Sequence, residues 1–180
     1  MNIPNSLTIL RILLIPVYVG FMTYGRYGAG LVTLLCAGIT DALDGLIARK
    51  TNQRTKLGEI LDPLADKLLL ISSFLTLAVL HLVPSWVVIV VVSRDVMLLL
   101  GTAVAHVTNS SIDITPTWLG KGTTLFQLAY VGLVGFTVWH GSQQRSLFPL
   151  LLLMVSFTLA SGLHYLYRGY RRTQAAGSSH

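Results

Sequence analysis

The acidic residues are few enough to be placed one by one: Asp41, Asp44, Glu59, Asp62, Asp66, Asp95 and Asp113. Five of the seven fall between positions 41 and 66. Asp41 and Asp44 are spaced i, i+3, and Asp62 and Asp66 are spaced i, i+4, so each pair shares one face of a helix. The two segments flank a short charged break. They therefore form an antiparallel hairpin in which the pairs can face each other at a membrane boundary. Four carboxylates gathered there repel one another and resist desolvation. They could separate toward water or pair with Arg49, Lys50 and Lys67. Simple solvation, however, does not require four of the shortest acidic side chains in two facing registers. Two divalent cations would offset four negative charges, and carboxylate, water and phosphate oxygens are the ligands Mg²⁺ prefers and Mn²⁺ tolerates. The expectation is therefore two divalent ions, Mg²⁺ or Mn²⁺, held by Asp41, Asp44, Asp62 and Asp66. Such a centre suits displacement at phosphorus.

Gly45 follows Asp44, and Gly58 precedes Asp62 by four positions. Each removes a side chain where a ligand could approach the helix backbone; close packing of small residues between membrane helices is the alternative. Together these residues spell D-x-x-D-G-x-x-A-R-x8-G-x-x-x-D-x-x-x-D, filled here by Asp41, Asp44, Gly45, Ala48, Arg49, Gly58, Asp62 and Asp66. The pattern resembles the signature of the CDP-alcohol phosphotransferase family, and the length and span pattern extend the resemblance over essentially the whole chain. The resemblance implies displacement of CMP from a CDP-activated group by an alcohol. It implies that Asp41, Asp44 and Asp62 bind the metals, with Asp66 helping at the second ion and acting as general base toward the acceptor hydroxyl. Gly45, Ala48, Arg49 and Gly58 would line the CMP site. A carboxylate is a weak base for an alcohol, so positioning and concerted attack must contribute much of the rate.

Two further stretches bear on the acceptor. Asn5, Thr8 and Arg11, spaced by three, form one polar stripe on an otherwise apolar helix. The stripe faces either the site or lipid headgroups. It resembles the N-x-x-T-x-x-R entry of phosphatidylglycerophosphate synthases and CMP-forming cardiolipin synthases, both of which use CDP-diacylglycerol. Arg94, in Ser93-Arg94-Asp95, lies within an apolar run, where an Arg must face the interior or water. It either pairs with an Asp or anchors an acceptor phosphate, whose geometry a guanidinium matches. Gly120-Lys121 resembles the G-K-x-K-T-x-x-Q of the glycerophosphate enzymes, with Thr123 where the second Lys stands and Gln127 in place. Arg94 to Leu98 and Pro116-Thr117 resemble the cardiolipin synthases instead. Glycerol 3-phosphate is the first expected acceptor and phosphatidylglycerol the second, with Arg94 and Lys121 as acceptor contacts. The first choice follows from a short chain without a transit peptide, which looks bacterial.

These residues need a scaffold, and the composition says of what kind. The chain has 180 residues, 53% hydrophobic and 11% charged. A soluble domain is nearer a quarter charged, and one small core cannot hide this much apolar surface. Disorder, fibres, disulfide scaffolds and ordinary soluble domains are excluded. Six apolar stretches follow: 7–24, 28–46, 57–80, 85–105, 119–139 and 147–167. Each is long enough, or nearly so, to cross a hydrocarbon core with roughly 20 helical residues. They are continuously apolar and do not alternate, which favours helices over a β-barrel. The expected fold is an all-α, six-transmembrane-helix bundle over residues 1–172, followed by a flexible tail at 173–180. Residues 2–7, punctuated by Pro4, are expected along the interface before the first span.

Arg49, Lys50, Arg54 and Lys56 lie on one side of an alternating bundle with Arg168, Arg171 and Arg172; Arg26 and Arg145 lie on the other. The positive-inside rule puts both termini in the cytoplasm of a multi-pass protein of the inner membrane. The net charge of +6 fits a partner leaflet rather than nucleic acid. Trp86, Trp118 and Trp139 sit near span ends, as an interfacial belt requires. Cys36, in a Leu/Val run, is expected to be a buried free thiol, and His81, His106, His140 and His164 are not spaced as a metal set. Asn109-Ser110-Ser111 fits a glycosylation pattern on the wrong side of the membrane. The sequence permits a homodimer. A small transporter with an acidic pore is the non-enzyme rival; it explains the intramembrane Asp residues but not Gly45, Gly58 and Ala48-Arg49.

Overall fold

The computed structural model describes residues 3–51, 56–107, 118–141 and 147–177, with side chains for 6–41, 43, 61–100, 120, 122–141 and 147–167. The described residues form six α-helices: α1 (Ile3–Thr23), α2 (Tyr27–Thr51), α3 (Lys56–Val79), α4 (Ser85–Val107), α5 (Trp118–Trp139) and α6 (Phe148–Gly177). The all-α expectation holds, and each helix covers one expected apolar stretch.

Residues 3–7 belong to α1 and do not form a separate interfacial segment. Pro4 sits in the first turn, where its missing N–H has no helical partner to lose. Pro16 lies inside the same helix without ending it. At the other end of the chain, α6 continues through Gly177, so the helix covers residues 173–177; residues 178–180 lie outside the described residues.

The joints on the side away from the acidic residues are tight. At the end of α1, Gly25 adopts φ 72°, its N–H donates to Met22 O and the Arg26 N–H donates to Phe21 O. This is the left-handed cap that glycine favours. After α3 the same pair of bonds recurs, with His81 at φ 58°, His81 N donating to Ala78 O and Leu82 N to Leu77 O.

Helix α3 is central and packs against α1, α4 and α5, while α1 also packs on α2, α5 on α2 and α6, and α4 on α6. Phe74, Leu77, Val87, Val91, Val131, Val134, Leu151 and Met154 are among the residues that form the apolar core. Large apolar side chains also point outward on every helix, for example Leu13, Val32, Leu75, Ile89, Leu125 and Leu163. Cys36 is exposed rather than buried. It shares the outer face of α2 with Val32, Leu35 and Ile39, at the helical spacing that turns Leu34 and Ala37 inward.

Among the described residues, three stretches are long and apolar enough to cross a membrane: Ser6–Thr23, Gly122–Trp139 and Phe148–Tyr167. A shorter apolar stretch, Tyr27–Asp41, lies in α2. Helices α2, α3 and α4 carry Asp41, Asp62, Asp66, Lys67, Arg94 and Asp95, which lower their apolarity and build the site.

Candidate active site

Because α1 and α2 run antiparallel, the start of α1 lies beside the end of α2, and α3 begins at that same end. Asp41 comes from α2, Asp62 and Asp66 from α3, and Thr8 and Arg11 from α1. The i, i+4 spacing within α3 and the i, i+3 spacing within α1 aim each set along one face. Thr8 and Arg11 are wholly buried, so their polar stripe faces the acids rather than lipid headgroups.

The Thr8 hydroxyl donates to Asp62 Oδ1 at 2.5 Å. Arg11 Nη1 lies 2.8 Å from Asp41 Oδ1 and also donates to Asp66 Oδ1. One guanidinium nitrogen of α1 therefore links the carboxylates of α2 and α3. The Asp41 and Asp66 side chains remain 49% and 41% exposed, whereas that of Arg11 is 0% exposed. The acids open outward from a buried cationic backing.

A second polar cluster starts from the next residue of α3. Lys67, next to the expected base Asp66, donates to Asp95 Oδ1 at 2.7 Å. Arg94 Nη1 reaches the same oxygen at 2.7 Å, and Arg94 Nη2 donates to Ser161 Oγ at 3.0 Å and to Gly120 O at 3.4 Å. Lys67 thus pairs with Asp95, and not with the four acids as the alternative to metal binding had it. The structural partner expected for Arg94 is found in its neighbour Asp95. The network joins α3, α4, α5 and α6, and α5 approaches closely there: a Cβ on Gly120 would stand 3.0 Å from the Tyr165 hydroxyl and 3.4 Å from Arg94 Nη2. Thr123, at the position of the absent second Lys, is buried, and Gln127 donates to Thr158 Oγ1 at 3.1 Å.

Asn5 falls in α1, Asp44, Gly45, Ala48 and Arg49 in α2, Gly58 in α3 and Lys121 in α5. Their side-chain environments lie outside the described residues. Among the described residues, no three His, Cys, Asp or Glu side chains close into a metal-binding group. His81 caps α3, and His140 packs on Phe136 and Trp139 with ring centroids at 4.3 and 4.8 Å.

Sequence reasoning missed that Arg11 is the partner of Asp41 and Asp66, and that Lys67, Asp95, Ser161 and Arg94 form one network. Its usable signal was the rule that an ionisable group in an apolar span must find a partner inside the bundle.

Residues 1–161 match the family model described as CDP-alcohol phosphatidyltransferase. The chain is 38% identical over 184 residues to a protein of Drosophila melanogaster named probable cardiolipin synthase (CMP-forming), covering 92% of this chain and 57% of the fly protein. It is 39% identical over 109 residues to the CDP-diacylglycerol–glycerol-3-phosphate 3-phosphatidyltransferase of Bacillus subtilis, covering 52% of this chain and 56% of that one. With the Aquifex aeolicus protein of the same name it shares 32% identity over 177 residues, covering 95% of this chain and 97% of that one. The chain thus spans little more than half the length of the fly and Bacillus relatives and nearly all of the Aquifex one. The matched region contains both Asp pairs, their glycines and the α1 residues that hold them, and on that ground the chain belongs to the CDP-alcohol phosphatidyltransferase family.

Proposed function

We propose that the protein is a phosphatidyltransferase of phospholipid synthesis. It transfers the phosphatidyl group of CDP-diacylglycerol to a glycerol-type alcohol, with glycerol 3-phosphate as first acceptor, and releases CMP. The observation that carries this reading is the convergence of Asp41, Asp62 and Asp66 on Arg11 and Thr8 within the family-matched region. In the reaction, the acceptor hydroxyl oxygen bonds to the phosphorus that carries the diacylglycerol. The bond from that phosphorus to the CMP oxygen breaks, and the hydroxyl proton passes to an Asp66 oxygen. Asp66 suits this task because it is half-exposed and is held by the same buried Arg11 nitrogen that meets Asp41.

The donor set fits hard divalent ions, since it is built of carboxylate oxygens from two facing helices. Asp41, Asp44 and Asp62, with Asp66, would hold Mg²⁺ or Mn²⁺, which when bound neutralises the diphosphate and the leaving CMP. Gly45, Ala48, Arg49 and Gly58 would line the cytidine end. Arg94 and Lys121, with Asn5, are the acceptor-side contacts; the buried Asp95–Arg94–Ser161 network keeps the Arg94 guanidinium in one orientation.

The bundle lies in the inner membrane as six spans with both termini cytoplasmic. Outward Leu, Val and Ile side chains on all six helices, with exposed Trp86 and Trp139 at the start of α4 and the end of α5, support crossing of a bilayer, and the Lys/Arg excess at 49–56 and 168–172 supports the orientation.

Phosphatidylglycerol is the second acceptor reading. It is favoured by Thr123, which puts a neutral buried side chain where a second cation would hold a phosphomonoester. Detergent-purified protein given CDP-diacylglycerol, Mn²⁺ and both acceptors decides between them. CMP release with phosphatidylglycerophosphate as product upholds the first reading, and cardiolipin as main product establishes the second. No CMP release with any alcohol, or full activity in excess EDTA, refutes the metal-dependent transferase.

A further inference from the structure

Arg11 presents a problem that transferase chemistry alone does not answer. A fully buried guanidinium is expensive to desolvate and persists only where carboxylates surround it. Here it is fully buried while both acids are nearly half-exposed, and it gives one nitrogen to Asp41 and Asp66 together. Those carboxylates are reachable from outside while Arg11 is not. Among the described residues the acids do not close on one another as metal ligands. The guanidinium lies between two of them.

We propose that Arg11 is a built-in counterion that holds Asp41 and Asp66 in register before metal arrives, and that divalent ions bind in competition with it. This rests on the two-metal reading above. Without any cation, carboxylates from α2 and α3 would repel, and the α1–α2–α3 packing would loosen at this end. Arg11 supplies one positive charge, enough to keep the helices together yet too little to neutralise the acids. A dication entering from the open side adds more charge to the same oxygens. It also repels the guanidinium, weakening the shared contact. Thr8, being neutral, can keep its bond to Asp62 throughout, so α1 stays docked while Arg11 yields.

The test needs no lipid substrate. Protein in detergent, stripped with EDTA, is titrated with Mn²⁺ while free Mn²⁺ is followed by electron paramagnetic resonance, and its thermal unfolding is recorded without metal. Arg11→Met should melt lower than the parent in EDTA. It should bind Mn²⁺ more tightly by a factor on the order of ten to a hundred, the range a lost charge-assisted contact represents. Arg11→Lys keeps the charge but loses the planar fork that can serve several oxygens at once, so it should also bind Mn²⁺ more tightly, by a smaller factor. Mere through-space repulsion predicts no change for the Lys variant. If Arg11→Met does not fold without metal, the Lys titration alone decides. A parent protein that binds Mn²⁺ while Arg11→Lys binds it equally or more weakly overturns the counterion role and leaves the transferase standing. A parent that binds no Mn²⁺ overturns the two-metal reading and this inference with it.

Discussion

Asp41 and Asp66 share one nitrogen. Arg11 Nη1 stands 2.8 Å from the Asp41 carboxylate and donates to that of Asp66 as well. Residues 25 positions apart in sequence, on helices that run in opposite directions, are thereby brought to one point by a third helix. Whatever reacts at the Asp66 carboxylate reacts at a position fixed from α1.

Asp66→Asn removes the proton acceptor while keeping the shape of the side chain. Donor binding should survive, and turnover should fall by a factor on the order of 10²–10⁴, the usual contribution of a positioned acid or base. Equilibrium binding of CDP-diacylglycerol alongside steady-state CMP release separates the two effects. Normal turnover in a variant that binds donor would remove Asp66 from the mechanism.

Thr8→Val is nearly isosteric and deletes the donor that reaches Asp62 at 2.5 Å. A hydrogen bond to a charged group contributes about 1.5–3 kcal/mol. The variant should lose roughly tenfold to a hundredfold in kcat/KM, and Thr8→Ser should restore most of it. Equal activity in the Val and Ser variants would show that Asp62 needs no support from α1.

Asp95→Asn leaves Lys67 and Arg94 without the carboxylate that both contact at 2.7 Å. Breaking a buried pair from one side costs about 3–5 kcal/mol, so thermal unfolding in detergent should shift sharply downward. Adding Lys67→Met removes one of the stranded cations and should recover part of the loss. A double variant no more stable than the single would mean that Lys67 gains nothing from Asp95.

His81 occupies a left-handed cap, φ 58°, that glycine fills at the equivalent place after α1. A side chain in that region costs roughly 1–2 kcal/mol. His81→Gly should therefore raise the unfolding temperature or leave it unchanged, and His81→Val should lower it. Destabilisation by the Gly variant would assign His81 a contact worth more than its backbone strain.

Much of this protein is decided locally and was legible in the order of its residues. The apolar runs set six helices, because a helix satisfies its own backbone wherever apolar side chains continue. The i, i+3 and i, i+4 spacings set which Asp residues share a face, because that depends only on helical period. The same argument placed Thr8 and Arg11 on one stripe. It does not say what the stripe meets, and the site and lipid headgroups both stay open. Only the packing of α1 against both α2 and α3 settles this: Thr8 bonds Asp62, and Arg11 joins Asp41 to Asp66. Lys67 shows the same limit from the other side. Its neighbour Asp66 meets Arg11 on α1, yet Lys67 turns to Asp95 on α4. One residue along a helix rotates the side chain by about 100°, and what it then finds belongs to another helix. Period is a property of one segment, whereas the partner of a buried charge is a property of how segments meet.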